Sequence, residues 1–407
     1  MKESFLIDVL KKGVSPFHCV EAAMQTLEES GFEELEYARP WNLKKGKAYM
    51  MNHHGTTLYA FTVGENFRAD AMLRMAAAHT DYPYLRIKPN ADFVTDRYAQ
   101  VNVEVYGGPI LNTWFDRPLG IAGRVIVRSG DVFAPETMLY RSGRPVLIIP
   151  NLAIHMNREV NKGVAINNQV DLMPVVDMLP EEQQSTDYFL SFLAEELAVK
   201  KEDILDFELN TYCVEEPAYV GIKETLLSSP RLDNQTSVAA LLAAIVEGTR
   251  TDGINLIALF DNEEIGNTSK QGAASILLHD MVKRIYGRLA AVRKKRIVRC
   301  MQVCCFPWMW RMHCIRIIRR KWILPIIRCL GMDSVSKRHV PSLMRRMQRQ
   351  SEFCGSSAIR IKSHTRGLSI VPMCAGVVHW DRLHPRCFRS AQWILEFRSY
   401  RCILHGN

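Results

Sequence analysis

Three short stretches of this chain supply side chains that can bind a metal ion and move protons. Glu263 and Glu264 are adjacent, and paired carboxylates can divide the work, one binding a metal while the other transfers protons. His79 and Asp81 lie in a second stretch and Asp233 in a third. One imidazole with carboxylate oxygens and no cysteine is the ligand chemistry of a hydrolytic zinc site. An Asp two residues after a ligand His can orient its ring or a neighbouring base.

Each of these residues also has a purely structural interpretation. The glutamates could belong to a solvated turn after a strand, and a single His after alanines is usually structural. Asp233 or Asn234 could serve only as the N-cap of the helix predicted after them. Taken alone, each stretch favours the structural interpretation, whereas their occurrence together favours a metal site.

An α/β framework is needed to bring these stretches together. The apolar run 254–260 predicts a buried strand that ends immediately before the acidic cluster of Asp261, Glu263 and Glu264. Open α/β sheets bind ligands outside the carboxyl ends of their strands, which is where this cluster would lie. Further elements are predicted at 14–31 (a helix capped by Ser15), 56–63 (a strand), 237–247 (a helix) and 277–289 (a helix).

Residues 86–221 predict a β-rich insertion between the His79 and Asp233 stretches. Val101, Val103 and Val105 alternate with polar residues, as in a half-buried strand. Further elements are predicted at 124–128 (a strand), 145–150 (a strand), 187–201 (a helix) and 207–209 (a strand). The segments on either side, 1–85 and 222–289, would then form one domain that the insertion interrupts.

Five stretches carry a resemblance to a known family. They are AAAHTDYP, YGGPILNTWFDRPLGIAGRV, HMNR, RLDNQTS and FDNEEIGNTSKQGA, and they occur in the family's order within about the first 289 residues. At these stretches the sequence resembles the aspartyl aminopeptidase and aminopeptidase I family of co-catalytic zinc exopeptidases. Several long matches in order are a specific signal, unlike one short motif.

The resemblance implies an α/β fold and a reaction. The fold would be a zinc-exopeptidase-like three-layer α/β/α catalytic domain, with the inserted β-rich domain used in oligomer contacts. The reaction would be removal of the N-terminal residue from peptides, with acidic residues preferred, although other members prefer neutral ones. A homo-oligomer with peptide substrates is therefore expected.

The resemblance also implies roles for particular residues. Of two zinc ions, His79 would bind one and Glu264 the other, and Asp233 would bridge them. Glu263 would be the general base, and Asp81 would orient its neighbours. His155, in the HMNR stretch, would reach the active site of a neighbouring subunit; a buried or interface histidine is the equal alternative.

The overall composition describes a basic chain of 407 residues with a net charge of +9. Its length suggests two or three domains. We find no apolar run of transmembrane length, and the first residues lack a secretory apolar segment, so a cytoplasmic protein without a membrane partner is expected.

The charge is divided unevenly along the chain. Residues 1–289 hold 28 Lys+Arg against 39 Asp+Glu, a net of −11, whereas residues 290–407 hold 24 against 4, a net of +20. Nine of the eleven cysteines and five of the seven tryptophans also follow residue 289. Basic tails usually contain few aromatic residues, so this composition calls for another cause.

Two functional interpretations of residues 290–407 are possible. A non-catalytic protein with a basic interaction tail is the alternative to an enzyme, but charge alone would bind nucleic acid only non-specifically. Cys304, Cys305, His313 and Cys314 could be considered a metal cluster, but their spacing fits no standard zinc module.

A frame disruption near residues 289–290 explains the tail more simply. Codons that spell 305–319, 370–383 and 393–407 can, in one shifted frame, encode the family's remaining Asp, Gly-rich and His motifs in the family's order. Residues 290–407 would then be out of frame, and the end of the catalytic domain would not be native-like. One Asp and one His ligand would be missing, so the chain as written is predicted to be inactive or misfolded.

Overall fold

The computed structural model describes residues 3–68, 71, 73–180, 187–248, 251–290, 301–304 and 377–379. Within these residues the helices are α1 (Glu3–Lys12), α2 (Pro16–Glu29), α3 (Tyr188–Leu197), α4 (Leu232–Glu247) and α5 (Leu277–Ala290). The strands are β1 (Glu33–Glu34), β2 (Ala48–His53), β3 (Thr57–Val63), β4 (Leu73–His79), β5 (Tyr84–Thr95), β6 (Tyr98–Tyr106), β7 (Leu119–Val127), β8 (Glu136–Arg141), β9 (Val175–Met178), β10 (Ile204–Cys213), β11 (Ala218–Val220), β12 (Leu226–Ser228), β13 (Ile254–Phe260), β14 (Met301–Cys304) and β15 (Val377–His379).

A mixed seven-stranded sheet carries the predicted site residues. Its order is β1-β2-β3-β13-β4-β14-β15, and β13 runs parallel to β4 and antiparallel to β3. In the parallel pair, Phe260 lies opposite His79, so both strands end at the same edge of the sheet. The loops that follow β4 and β13 are therefore neighbours, as the predicted site requires.

Helices cover both faces of this sheet. On one face α1, α2 and α4 pack against the sheet, and on the other α5 does so. Alternate residues of β13 enter the two cores, because successive side chains of a strand point to opposite faces. Ile257 and Leu259 join the first core, and Leu256, Ala258 and Phe260 join the second. The predicted three-layer α/β/α arrangement and the buried strand 254–260 are both confirmed.

A six-stranded antiparallel sheet is formed by strands between Tyr84 and Cys213. Its order is β8-β7-β10-β5-β6-β9, and α3 packs against its core. β5 begins at Tyr84, slightly before the boundary predicted at residue 86. A separate hairpin of β11 and β12 spans the boundary predicted at residues 221–222. The division into domains at these positions stays a prediction.

The structure corrects the prediction of a strand over residues 145–150. This run forms only isolated bridges, Leu147 to Leu119, Ile148 to Val175 and Ile149 to Phe115. Pro145 and Pro150 bracket it, and proline has no N–H to continue a ladder. The apolar run therefore crosses between two strands of the sheet without joining either along its length.

The predicted helix ends also shift by several residues. The helix predicted over residues 187–201 ends at Leu197, because Ala198 adopts a left-handed conformation with φ of 54°. The helix predicted from residue 237 begins at Leu232 instead, although Asp233 and Asn234 keep non-helical backbone angles within it. Ser15 caps α2 as predicted, since its hydroxyl accepts the His18 N–H at 3.2 Å. None of the described helices is both long and apolar enough to cross a membrane.

Candidate metal centre

The candidate site lies at the shared carboxyl edge of β4 and β13. His79 is the last residue of β4, and Glu263 and Glu264 form a short 3-10 turn after β13. Asn262 makes the change of direction possible, because it adopts the left-handed conformation with φ of 62°, which Asn tolerates better than most residues. The apolar residues of β13 are thus buried in the sheet, and the turn at Asn262 places Glu263 and Glu264 at the edge of the sheet.

The side chains of all three stretches meet around the His79 ring. Its Nε2 lies 3.4 Å from Asp233 Oδ1 and 4.0 Å from Glu263 Oε2. Ligand atoms of His79, Glu263 and Glu264 all lie within 4.8 Å of one another. Asp233 approaches from the loop that opens α4, and its peptide bond to Asn234 is cis.

Asp81 lies beneath this group and is fully buried. Its Oδ1 accepts the backbone N–H of Glu263 at 3.2 Å, and its Oδ2 accepts that of Glu264 at 3.1 Å. The Nδ1 of His79 lies 3.3 Å from Asp81 Oδ1 and 3.0 Å from its main-chain oxygen. With the ring proton on Nδ1, the Nε2 lone pair faces the other carboxylates, the orientation that a metal ligand needs.

Tyr106, a residue that sequence reasoning missed, completes the support of Asp81. The Tyr106 hydroxyl donates to Asp81 Oδ2 at 2.8 Å and accepts Nδ2 of Asn262 at 2.9 Å. Burial and the charge of Asp81 raise the pKa of Tyr106 far above its ordinary value, so the phenol keeps its proton. The available sequence signal was that Tyr106 ends the strand in which Val101, Val103 and Val105 alternate with polar residues.

Gly107, the next residue, allows the six-stranded sheet to approach the site closely. It has a φ of +73°, and a Cβ placed there would lie 2.9 Å from Cβ of Glu264 and 3.1 Å from its Oε2. A side chain at this position would therefore both strain the backbone and displace Glu264.

A buried amide supports the loop after β4 from the opposite side. Gln235, in the first turns of α4, donates from Nε2 to the carbonyl of Thr80 at 3.1 Å and accepts Sγ of Cys19 at 3.3 Å. Thr80 in turn donates its hydroxyl to the carbonyl of Thr56 at 2.8 Å. This chain of hydrogen bonds ties α2, α4 and the residue before β3 to Thr80, the residue between His79 and Asp81.

The buried charged groups of the site shift one another's pKa values. Burial, together with the charges of Asp81, Glu263 and Asp233, raises the pKa of Glu264 to about 7, although His79 opposes the shift. Burial alone would lower the pKa of His79, but its contacts with Asp233 and Asp81 hold that pKa well above the ordinary value. Burial and the charge of Asp81 also raise the pKa of Asp261 to about 7. The carboxylates of Asp81, Asp233 and Glu263 all lie within 4.0 Å of the His79 ring.

This donor set fits a zinc ion. Imidazole nitrogen and carboxylate oxygens are ligands that zinc takes, and His79 and Glu264 present such atoms at one point. A divalent cation would also neutralise the crowded carboxylates, because burial and then the charges of Asp81, Glu263 and Asp233 otherwise favour protonation of Glu264. The residues present are therefore suited to the metal in both chemistry and charge.

Other predicted residues lie away from this cluster or outside the described residues. His155 is exposed, in a turn where Met156 and Asn157 donate their N–H groups to the carbonyl of Ala153. Of the possible tail cluster, Cys304 ends β14, while Cys305, His313 and Cys314 lie outside the described residues.

Comparison with known proteins agrees with the fold. The sequence pattern of the aminopeptidase I zinc metalloprotease (M18) family matches residues 9–303. The chain belongs to this family. The match continues past residue 289, where the resemblance was expected to stop.

Individual relatives cover the same part of the chain. The probable M18 family aminopeptidase 2 of Clostridium acetobutylicum is 45% identical over 281 residues, which are 69% of this chain and 65% of that protein. The aspartyl aminopeptidase of Aspergillus oryzae is 33% identical, over 67% of this chain and 62% of that protein. The chain thus spans somewhat less than two thirds of the length of these relatives.

A solved structure shares the fold. The S. cerevisiae mApe1 dodecamer matches with a TM-score of 0.61 and 25% identity, covering 73% of this chain and 69% of that one.

Proposed function

We propose that this chain carries the first part of a two-zinc aminopeptidase site, which removes N-terminal residues from peptides. The convergence of His79, Asp233, Glu263 and Glu264 at one sheet edge is the observation that carries the proposal. Membership of a zinc metalloprotease family supports the choice of metal. The count of two ions rests on the family resemblance and on the position of Asp233 beside His79.

The residues would divide the work as follows. His79 would hold one zinc and Glu264 the other, with Asp233 bridging them. Glu263 would act as general base, since its side chain is about one-quarter exposed (24%) and can be reached by substrate. Asp81 would fix the direction of both the His79 ring and the glutamate turn through its contacts with each.

Zinc, when bound, would supply a Lewis acid that polarises the first peptide carbonyl. Glu263 would accept a proton from the attacking water and return it to the departing amine, as a general base and then a general acid. The backbone of Glu263 is held by Asp81, so the carboxylate would be positioned before substrate arrives.

Peptides with an acidic N-terminal residue are the proposed substrates. The aspartyl aminopeptidase of Aspergillus oryzae, a relative across 67% of this chain, supports this preference. A homo-oligomer is proposed by the same reasoning, because the related mApe1 structure is a dodecamer. In such an assembly the β-rich insertion 86–221 would form contacts, and the exposed His155 would reach a neighbour's site. Location in the cytoplasm stays a prediction.

The tail decides whether this chain can act. If residues 290–407 are out of frame, the remaining Asp and His ligands are missing, and the chain as written is predicted to be inactive. The coding DNA across residues 289–295 should be resequenced first. We would then compare the chain as written with a frame-corrected chain on dipeptides that begin with Asp, Glu, Ala or Leu.

The frame-corrected chain should cleave Asp- and Glu-initiated dipeptides with zinc and stop when a chelator is added. Glu263→Gln in that chain should lower kcat by about 10²- to 10⁴-fold, the usual contribution of general acid–base catalysis. Failure of the zinc-loaded, frame-corrected chain on every dipeptide would refute the proposed function. Robust activity of the chain as written would instead refute the frame disruption.

A further inference from the structure

The Tyr106 hydroxyl lies at the centre of a directed hydrogen-bond chain. Ser269 donates its hydroxyl to Oδ1 of Asn262 at 2.5 Å, which fixes the orientation of that amide. Nδ2 of Asn262 therefore faces Tyr106 and donates to it at 2.9 Å. The single phenolic proton is left to point at Asp81, 2.8 Å away. Each group in the chain has its donor and acceptor roles fixed by the one before it.

Tyr106 supplies the last contact of a carboxylate whose acceptor positions are otherwise taken. On Asp81, Oδ1 meets Glu263 N and His79 Nδ1, and Oδ2 meets Glu264 N. A carboxylate has about four lone-pair positions, so Tyr106 fills the fourth. Without it a fully buried oxygen would be under-satisfied, and the carboxylate would be free to tilt away from the two glutamate amides.

The ring that carries this hydroxyl is itself held in place. Tyr84 of β5 lies opposite Tyr106 in the strand register, and their rings stack at 4.3 Å with an angle of 2° between planes. The Arg86 guanidinium lies 5.1 Å from the Tyr106 ring centroid. The fourth contact of Asp81 therefore comes from the six-stranded sheet, whereas the other three come from the sheet that carries the metal-binding side chains.

We propose that Tyr106 is a positioning residue for the metal site, holding Asp81 so that the 262–264 turn and the His79 ring face one point. The role of Tyr106 at a metal site rests on the proposed function, whereas its contacts with Asp81 and Asn262 are observed in the structure. It makes the six-stranded sheet part of the site itself, since removing one hydroxyl on β6 would loosen the glutamate turn after β13.

Hydrogen exchange on the full chain without metal tests the geometry. Tyr106→Phe removes the hydroxyl and keeps the stacked ring, so the backbone amides of Glu263 and Glu264 should exchange about ten- to a hundredfold faster, the range expected for one lost bond to a charged acceptor. Tyr84→Phe is the matched control, because it removes the hydroxyl of the stacked partner, which does not contact Asp81. Equal effects of the two variants, or no effect of either, would overturn the proposal.

Cobalt binding tests the consequence for the metal. With Co²⁺ as probe, Tyr106→Phe should weaken binding about tenfold, the lower end of the range for partners of metal ligands, because it acts on the His79 ligand through Asp81. The visible absorption bands of the bound Co²⁺ should also change. Unchanged affinity and spectrum would overturn the positioning role. If the unaltered chain takes up no Co²⁺, the proposed metal function fails, while the exchange experiment still decides the role of Tyr106.

A second variant covers the case in which Tyr106→Phe does not fold. Asn262→Gly keeps a residue that tolerates the left-handed backbone and removes the amide that aligns the Tyr106 hydroxyl. Asn262→Gly, like Tyr106→Phe, should speed up hydrogen exchange of the Glu264 backbone amide. Exchange identical to that of the unaltered chain would contradict the directed chain of bonds.

Discussion

Oδ2 of Asp81 accepts the backbone N–H of Glu264 at 3.1 Å, across 183 residues of sequence. This bond joins the loop after β4 to the turn after β13, two segments separated by the whole six-stranded sheet. Because Oδ1 of the same carboxylate accepts the neighbouring N–H of Glu263, one buried side chain sets the direction of both glutamates.

Asp81→Asn should therefore weaken metal binding more than its loss of charge alone suggests. An amide keeps one acceptor oxygen, but its NH₂ group must face one of the two glutamate N–H donors, so one backbone bond is lost. We expect zinc affinity to fall about 10- to 100-fold, as for other outer partners of metal ligands. Competition with a chromophoric chelator measures this directly.

The control for this variant is Asp96→Asn, in an exposed turn with φ of 47°, where Asn is well tolerated. It removes the same charge from the chain without touching the site. Equal zinc affinity in the two variants would show that Asp81 acts only through net charge and not through the bonds it accepts.

Gly107→Ala should weaken zinc binding because the added methyl group displaces Glu264. The variant strains the backbone by roughly 1–2 kcal/mol, and its new methyl group must also push Glu264 aside. Gly143→Ala is a close match, because Gly143 also has a positive φ, of +64°, but no atom lies within 4 Å of its added Cβ. We expect both variants to lose thermal stability, Gly107→Ala the more because of the contact with Glu264, and zinc binding to weaken in Gly107→Ala alone.

Equal zinc affinity in the two glycine variants would contradict the close approach of the six-stranded sheet to Glu264. Isothermal titration with zinc and thermal unfolding in chelator, carried out on the same preparations, separate the two effects.

Residues whose environment is local were well predicted from the sequence. The apolar run of β13, the Ser15 cap and the acidic pair follow from neighbours in the chain, and the structure places them as expected. Tyr106 and Gln235 were missed, because their partners Asp81 and Thr80 lie on other elements and nothing in their own flanking residues specifies them. Local sequence patterns predict strands and helices, whereas the hydrogen bonds that hold the site residues in place depend on how the elements pack against one another.

Gln235→Leu should destabilise the fold and the loop after β4. The substitution leaves the buried carbonyl of Thr80 without its amide donor and the Cys19 thiol without its acceptor. We expect the free energy of unfolding to fall by about 1–3 kcal/mol, the usual cost of an unsatisfied buried polar group. Urea denaturation in chelator measures this loss.

Gln25→Leu is the control, since Gln25 lies on the exposed face of α2. It makes the same chemical change without disturbing a buried network. A loss of stability as large in Gln25→Leu would show that the effect belongs to the amide-to-alkyl change itself rather than to the bond with Thr80.

Glu264 should make the metal-free chain less stable as pH rises. Its pKa is raised from 4.5 to about 7, so between these values the folded chain binds more protons than the unfolded chain, and the free energy of unfolding falls with increasing pH. The raised pKa of His79 acts in the same direction, because its stabilisation is complete below pH 6.5 and is lost as pH rises through the folded value.

Glu264→Gln should reduce this dependence between pH 4.5 and 7 and leave the part that comes from His79 and Asp261, whereas Glu21→Gln, on the exposed face of α2, should leave it unchanged. Zinc should reverse the trend, because the metal competes with the proton on Glu264 and therefore binds more tightly as pH approaches 7. Denaturation at several pH values, with chelator and then with zinc, distinguishes these effects. A Glu264→Gln variant with the same pH dependence as the unaltered chain would mean that Glu264 is ionised across this range, and that burial and the surrounding carboxylates do not raise its pKa.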